Sequence, residues 1–350
     1  MRKRTLITYV GLLVLLVVLT ACRTSGPQGQ AETFTILYTN DEHGWIAPDD
    51  ENTGGAAAMM QRWRDEEGYT ADGAFLILSG GDTWTGPALS TWFDGEPTIE
   101  VLNAMHYDAA AIGNHEFDFG PEGLRERTAQ AEFPFLAANL LDAETGERSD
   151  LALPYVVQEV GSVQVGIIGL ASTRTPKTTM PTHVEGLTFA PYAETLETIV
   201  PEVEDDGADV LIVISHMCSR EMESLAQTAA DLGVVMIGGG HCHERVNQIT
   251  DSGVLLIESG AYMQAYTRVD LTVNARTGEV IESTAQIKDS LTGAHDETVA
   301  AIVESWQAQL DDALDQVIGY TEKGIRQRSP EMFNLVTDAW LAAYPADIAM

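Results

Sequence analysis

From Thr33 onward the chain alternates short, β-prone apolar runs with longer stretches whose apolar positions recur at spacings of three and four. TFTILYT, AFLILSG, DAAAIG, PFLAAN, VQVGIIGL, ADVLIVISH, VVMIGGG and GVLLIES predict strands. GAAAMMQRWRDEEG, PTIEVLNAMH, PEGLRERTAQAE, AETLETIVPEVEDD and SREMESLAQTAADLG predict helices between them. The strands are apolar at consecutive rather than alternate positions, so both of their faces are expected to be buried and the sheets covered by helices. An α/β fold follows. YTRVDLTVN and EVIESTAQI predict a closing hairpin around ARTG, and residues 296–318 predict the longest helix, with Asp296 as its N-cap. FNLVTDAWLAAYPADIAM predicts one more helix and a strand.

The first residues follow a different pattern. MRKR is a basic head, LITYVGLLVLLVVL is an apolar run shorter than a comfortable transmembrane helix, and LTAC closes the stretch on small residues and Cys22. Residues 1–21 are expected to be a lipoprotein signal peptide, with Cys22 lipidated as in a bacterial lipobox. The polar RTSGPQGQAE makes residues 22–32 a flexible tether. An exported lipoprotein, periplasmic or on the cell surface of a bacterium, is the expectation, with the lipid anchor as its sole link to the membrane. Only Cys218 and Cys242 then remain, either paired or as small buried thiols.

Charge narrows the partners. Lys and Arg together number 19 against 53 Asp and Glu, a formal net charge of −34. Such a field repels nucleic acid and anionic membrane surfaces. A monomer acting on a small molecule is expected.

Polar residues collect immediately after five of the strands. TFTILYT runs into Asn40, Asp41, Glu42 and His43; AFLILSG into Asp82; DAAAIG into Asn114, His115, Glu116 and Asp118. ADVLIVIS runs into His216, and VVMIGGG into His241, Cys242 and His243. Each alone fits a turn, a cap or a satisfied core histidine, and Glu116 reads as a loop acid. Together they include five of the eight histidines, and α/β sheets gather their ligands beyond the carboxyl ends of strands. Carboxylate, amide and imidazole donors without thiolate suit two adjacent divalent ions such as Mn, Zn, Fe or Co. A shared carboxylate would hold such a pair ~4 Å apart, the spacing used for in-line displacement at phosphorus.

TNDEHG, SGGDTWTG, GNHEFDFG, SHM and GGHCHE, in that order, resemble the calcineurin-like metallophosphoesterases in their 5'-nucleotidase/UDP-sugar hydrolase family. The resemblance spans residues 33–350. It implies a four-layer α-β-β-α sandwich over residues 33–295, a linker helix and connection over 296–324, and the start of a C-terminal domain over 325–350. That last piece is expected to be truncated, because the substrate-gripping arginines and base-stacking aromatics of the family fall beyond it. The resemblance also implies one ion on Asp41, His43, Asp82 and His243 and a second on Asp82, Asn114, His216 and His241. His115 and Asp118 match the family's catalytic pair, with Asp118 orienting the imidazole and keeping it cationic. The implied activity is hydrolysis of nucleoside 5'-phosphates by a hydroxide bridging the two ions. A 2',3'-cyclic-nucleotide phosphodiesterase, a UDP-sugar hydrolase or a thiosulfohydrolase would share the same catalytic domain. A lipoprotein that binds metal or nucleotide without turnover is the rival from another class, and it would have no use for the His115–Asp118 pair.

Overall fold

The computed structural model describes residues 31–48, 54–289, 293–326 and 328–344. The signal segment, Cys22 and the expected strand in PADIAM lie outside the described residues. Among those described, no helix is long and apolar enough to cross a membrane.

Strands β1 (Ala31–Thr39), β2 (Phe75–Ser79), β3 (Ala109–Ala111) and β4 (Phe135–Leu136) run parallel and form most of one sheet. The predicted hairpin, β13 (Ala265–Asn274) and β14 (Val280–Asp289), is added antiparallel to β1, which gives the order β14-β13-β1-β2-β3-β4. A second six-stranded sheet has the order β11-β12-β10-β9-β7-β6. Its parallel centre is β7 (Val163–Leu170), β9 (Val210–Ser215), β10 (Val234–Gly238) and β12 (Leu255–Ser259), and its antiparallel edges are β6 (Tyr155–Val160) and β11 (Arg245–Ile249). Strands β5 (Leu140–Asp142) and β8 (Leu187–Phe189) pair separately. Ala31 and Glu32, expected at the end of the tether, pair with Asn274 and Val273 as the start of β1.

The uninterrupted apolar strands serve two cores at once. In β9, Ile212 and Ile214 point between the sheets and meet Ile36, Leu76 and Ile167, while Leu211 and Val213 point outward. That outer face packs on α4 (Tyr192–Asp205) and α5 (Ser219–Asp231) through Leu196, Ile199, Met222 and Leu225. The opposite outer face is covered in part by α1 (Gly55–Glu66), whose buried Trp63 stands edge-on to Tyr266 at 5.9 Å. Helices α2 (Glu96–Ala104) and α3 (Gly120–Gln130) complete the crossovers of the first sheet. Fully burying a residue such as Ile212 or Leu225 contributes about 1.5–3 kcal/mol, and only a two-faced strand collects this at every position. The result is the α-β-β-α order expected.

The chain divides into two compact units between Trp306 and Gln307. Helix α6 (Glu297–Leu314) begins in the first unit, where Asp296 accepts the N–H groups of Thr298 and Val299 at 3.0 Å each as the expected N-cap. The first turns of the expected linker helix therefore belong with the sandwich. The second unit carries α7 (Pro330–Ala343), capped by Ser329 and exposing Phe333, Leu335, Val336, Trp340 and Leu341.

Candidate metal centre

Two facing sheets bring five strand ends to one edge. Asn40 and Asp41 follow β1, Asp82 follows β2, Asn114 follows β3, His216 follows β9, and His241 and His243 follow β10. The sheets are pinned together there: the Tyr38 hydroxyl donates to the Gly239 carbonyl at 2.8 Å, and His216 Nδ1 donates to the Gly80 carbonyl at 2.8 Å. Backbone strain concentrates at the same edge. Asp41 (φ 51°), His43 (48°), Asp82 (56°), His241 (73°) and His243 (55°) all sit in the left-handed region. Such residues cost about 1–3 kcal/mol each and persist where the surroundings force them. Glycine is required beside them. A Cβ on Gly113 would lie 2.2 Å from Asp82 Oδ1, and one on Gly240 would lie 3.0 Å from both Asp41 Oδ2 and His216 Nδ1.

The donor atoms form overlapping groups. Asp41, His43 and His243 offer one set within 4.8 Å of one another, and Asp82, His216 and His241 offer another. His43 Nε2 lies 3.9 Å from Asp41 Oδ1 and 3.9 Å from Asp82 Oδ2, so Asp82 reaches toward both sets. His216 Nε2 is 2.8 Å from Asp82 Oδ2, and His243 Nε2 is 3.4 Å from Asp41 Oδ1. The tautomers suit ligation. His43 Nδ1 donates to the Thr85 carbonyl at 3.1 Å, so in both His43 and His216 the Nε2 lone pair is left facing the cluster. Asn114 Nδ2 donates to the Thr178 carbonyl at 3.3 Å, which turns Oδ1 inward, where it is buried without a hydrogen-bond partner. A buried, unpartnered carbonyl oxygen is costly unless a cation or donor meets it. The residues present thus fit a pair of hard-to-borderline divalent cations.

Electrostatics point the same way. Burial pulls the His216 pKa down, but the Asp82 and Asp41 carboxylates outweigh it and push it up to about 10. The two carboxylates thus favour positive charge at the His216 Nε2 position, which a bound cation would supply in place of the proton. At the mouth, His115 and Asp118 are about a third and a quarter exposed, whereas Asp41 and His216 are wholly buried. His115 Nδ1 lies 2.6 Å from Asp118 Oδ2, and its backbone N–H donates to Asp82 Oδ1 at 2.8 Å. Burial lowers the His115 pKa, but the Asp118 hydrogen bond and the charges of Asp82, Asp118 and Glu116 push it up to about 9. Its donor atom also lies within 4.8 Å of those of His43 and Asp82, so distance alone would admit it as a ligand.

Glu116 is not a loop acid. It is fully buried and accepts the backbone N–H groups of Asp82 (2.9 Å), Thr83 (2.7 Å) and Gly113 (2.6 Å), and the Thr83 hydroxyl at 2.8 Å. Burial and the Asp82 charge push its pKa up to about 7. It is the clamp that holds the Asp82 turn against the β3 turn. Glu42, equally buried, takes the hydroxyls of Thr39 and Ser79 at 2.5 and 2.9 Å, and burial pushes it up to about 8. Glu258 on β12 accepts the Glu244 N–H at 2.7 Å. Only their interleaving with the candidate ligands marked Glu42 and Glu116 in the sequence, and Glu258 had no such mark. Cys218 and Cys242 form a disulfide, which joins the N-cap of α5 to the His241–His243 turn. Neither cysteine is therefore a free thiol or a ligand.

The sequence profile of the bacterial capsule synthesis protein PGA_cap family matches residues 76–248. Protein UshA of Salmonella pullorum is 33% identical over 227 residues, covering 61% of this chain and 40% of that protein. The 5'-nucleotidase of Vibrio cholerae is 33% identical over 230 residues, with the same shares of 61% and 40%. The chain thus spans well under two thirds of these relatives' length. The crystal structure of the calcineurin-like phosphoesterase YfkN from Bacillus subtilis superposes with a TM-score of 0.69 at 20% identity, over 82% of this chain and 100% of that one. Over about three fifths of its length the chain is thus similar in sequence to UshA and 5'-nucleotidase proteins, and it has the fold of the calcineurin-like phosphoesterase YfkN.

Proposed function

We propose that this protein is a two-metal phosphoesterase that hydrolyses nucleotides outside the cytoplasm, releasing phosphate from nucleoside 5'-phosphates. The observation that carries the reading is the buried, unpartnered Asn114 oxygen within a ring of Asp41, His43, Asp82, His216, His241 and His243, with the His115–Asp118 pair at its mouth. The 33% identical 5'-nucleotidase of Vibrio cholerae supports the substrate class. Asp41, His43, Asp82 and His243 would hold one ion, and Asp82, Asn114, His216 and His241 the other. When bound, the ions supply charge neutralisation at the phosphoryl oxygens and an activated water. The remaining chemistry falls to the protein. Asp118 holds the His115 ring by Nδ1 and keeps it cationic at neutral pH, and Nε2–H is left to donate to the phosphoryl or leaving-group oxygen. Glu116 keeps Asp82 in register through the backbone.

Export with a lipid on Cys22 remains part of the proposal, as does the division into a catalytic domain over residues 33–295, a linker and a C-terminal piece from residue 325. The test is release of p-nitrophenol from its phosphate mono- and diester by the Mn²⁺-loaded protein, with and without EDTA. EDTA-sensitive turnover of the monoester supports the reading. Turnover of neither ester would leave a binding lipoprotein, and diester turnover alone would leave a phosphodiesterase.

A further inference from the structure

One side of the site leads outward along aromatic rings that neither the metal centre nor the His115–Asp118 pair uses. Tyr262 stands at 5.5 Å from the His43 ring and 5.1 Å from the His243 ring, edge-on to the latter. Trp45 lies 5.5 Å beyond Tyr262, with the two planes inclined at 49°. Both rings are partly exposed, while Trp63 and Trp84 in the same unit are completely buried. Among the described residues Trp45 has no ring contact besides Tyr262.

The backbone at this wall is held in costly conformations. Tyr262 has φ 61° and the next residue, Met263, φ 53°. Two consecutive bulky residues in the left-handed region are rare, and such strain is kept where the geometry serves a purpose. The Tyr262 N–H donates to the Asp41 carbonyl at 2.8 Å, which ties the ring's position to the ligand turn itself. Trp45 is fixed to the same turn by its N–H, which donates to the Glu42 carbonyl at 3.0 Å. A phosphoryl group at the cluster would therefore have its ester substituent beside a preset, half-open aromatic wall. Planar rings stack on such a wall with little sequence or atom specificity, whereas a small polyol gains nothing from it.

We infer that Trp45 and Tyr262 form a subsite on the sandwich unit for the planar base or aryl group of a phosphoester. This rests on the phosphoesterase reading but goes further, since the family resemblance puts base-stacking aromatics in a part of the relatives that this chain does not span. The unit that carries the chemistry thus reads the leaving group as well.

The test uses the whole chain loaded with Mn²⁺. Calorimetry measures Kd for AMP and for glycerol phosphate, each as its non-hydrolysable phosphonate analogue, in the wild type, Trp45→Ala and Trp45→Phe, with metal content determined for each. Stacking is worth enough per ring that Trp45→Ala should cut the preference for AMP over glycerol phosphate about 5–150-fold, and Trp45→Phe should restore most of it. A Trp45 that merely props the ligand turn would weaken both ligands together and lower metal content, leaving the ratio unchanged. That outcome overturns the subsite. The Kd ratio is read without turnover, so a wild type that hydrolyses nothing would sink the enzymatic reading while the ratio still decides this one.

Discussion

Removing the Glu116 carboxylate is the sharpest test of how the site is held. Glu116→Ala strands the backbone N–H groups of Asp82, Thr83 and Gly113 and the Thr83 hydroxyl in a fully buried place. Hydrogen bonds to a charged group contribute about 1.5–3 kcal/mol net, and each stranded buried donor costs ~1–3 kcal/mol. Water entering the space of the lost side chain would recover part of this, so we expect a net loss of about 3–5 kcal/mol. For a domain of this size that lowers Tm by roughly 6–20 °C. Glu116→Gln retains the shape and one acceptor oxygen but turns an NH₂ toward the donors, so it should fall between the two. The assay is urea unfolding followed by circular dichroism, run in EDTA so that metal linkage does not inflate the difference. With Mn²⁺ restored, the surviving folded variant should bind the ions more weakly and turn over about 10²-fold more slowly, because the Asp82 turn is no longer fixed. A solvated acid at this position would change stability by no more than ~0.5 kcal/mol. If Glu116→Ala matches the wild type within that margin, the clamp does not exist.

Asp82→Ala should cost both ions, because this carboxylate faces His43 and His216 alike, whereas His43→Ala should mainly lose one; metal per chain after dialysis measures this. His115→Ala should keep both ions and lose roughly 10²–10⁴ in kcat, with Asp118→Asn losing less, as steady-state rates at matched metal content would reveal. Far from the site, Glu67 accepts from Arg268 and Lys288 at 2.9 and 2.7 Å. Burial raises its pKa, but the bonds from Lys288, Tyr266 and Arg268 outweigh this and hold it below the ordinary 4.5. A folded pKa below the unfolded one means that this stabilisation is complete above about 4.5 and is lost as pH falls through the folded value. Glu67→Gln should therefore be less stable at neutral pH and lose less on acidification, and an unchanged acid limb in thermal melts would refute that.

What the sequence reveals follows from which forces are local. The central strands are legible because both faces of β7, β9, β10 and β12 are largely buried, so each holds a run of consecutive apolar residues, with Gln164 near the start of β7 and Glu258 near the end of β12 as the charged or amide exceptions. Strands β6 and β11 are not legible in that way: RVNQI is almost wholly exposed and is held by one neighbour, β12. The candidate metal ligands stand out because each follows a strand closely, and a parallel sheet aligns those ends by construction. Glu116 does not stand out, since its burial is set by N–H groups at Asp82 and Thr83, more than thirty residues away. The cysteine pairing has the same character. Cys218 and Cys242 are 24 residues apart, and only the adjacency of β9 and β10 brings their Cα atoms to 5.2 Å. Residue type reports what a side chain can do, while its partner is a property of the sheet order.

The charge of the chain and the charge of its expected substrate are reconciled by the composition of the donor set. A formal net charge of −34 should repel a phosphate, yet exposed charges more than about 10 Å away are largely screened at moderate salt. Within that range the seven candidate ligands include only two carboxylates, Asp41 and Asp82; the others are one amide and four imidazoles. Two dications held by this set keep a net positive charge, to which His115, pushed up to about 9, adds at the mouth. Burial pushes Glu42 up to about 8 and Glu258 up to about 9, so these two neighbours bring less negative charge to the site than exposed carboxylates would. An asparagine rather than an aspartate at position 114 completes this arrangement, since a third ligand carboxylate would spend on the ions the positive charge that a phosphoryl group needs. An acidic surface and a cationic site are therefore compatible, because one is screened by solvent and the other would be set within a few ångströms by a donor set that is mostly neutral.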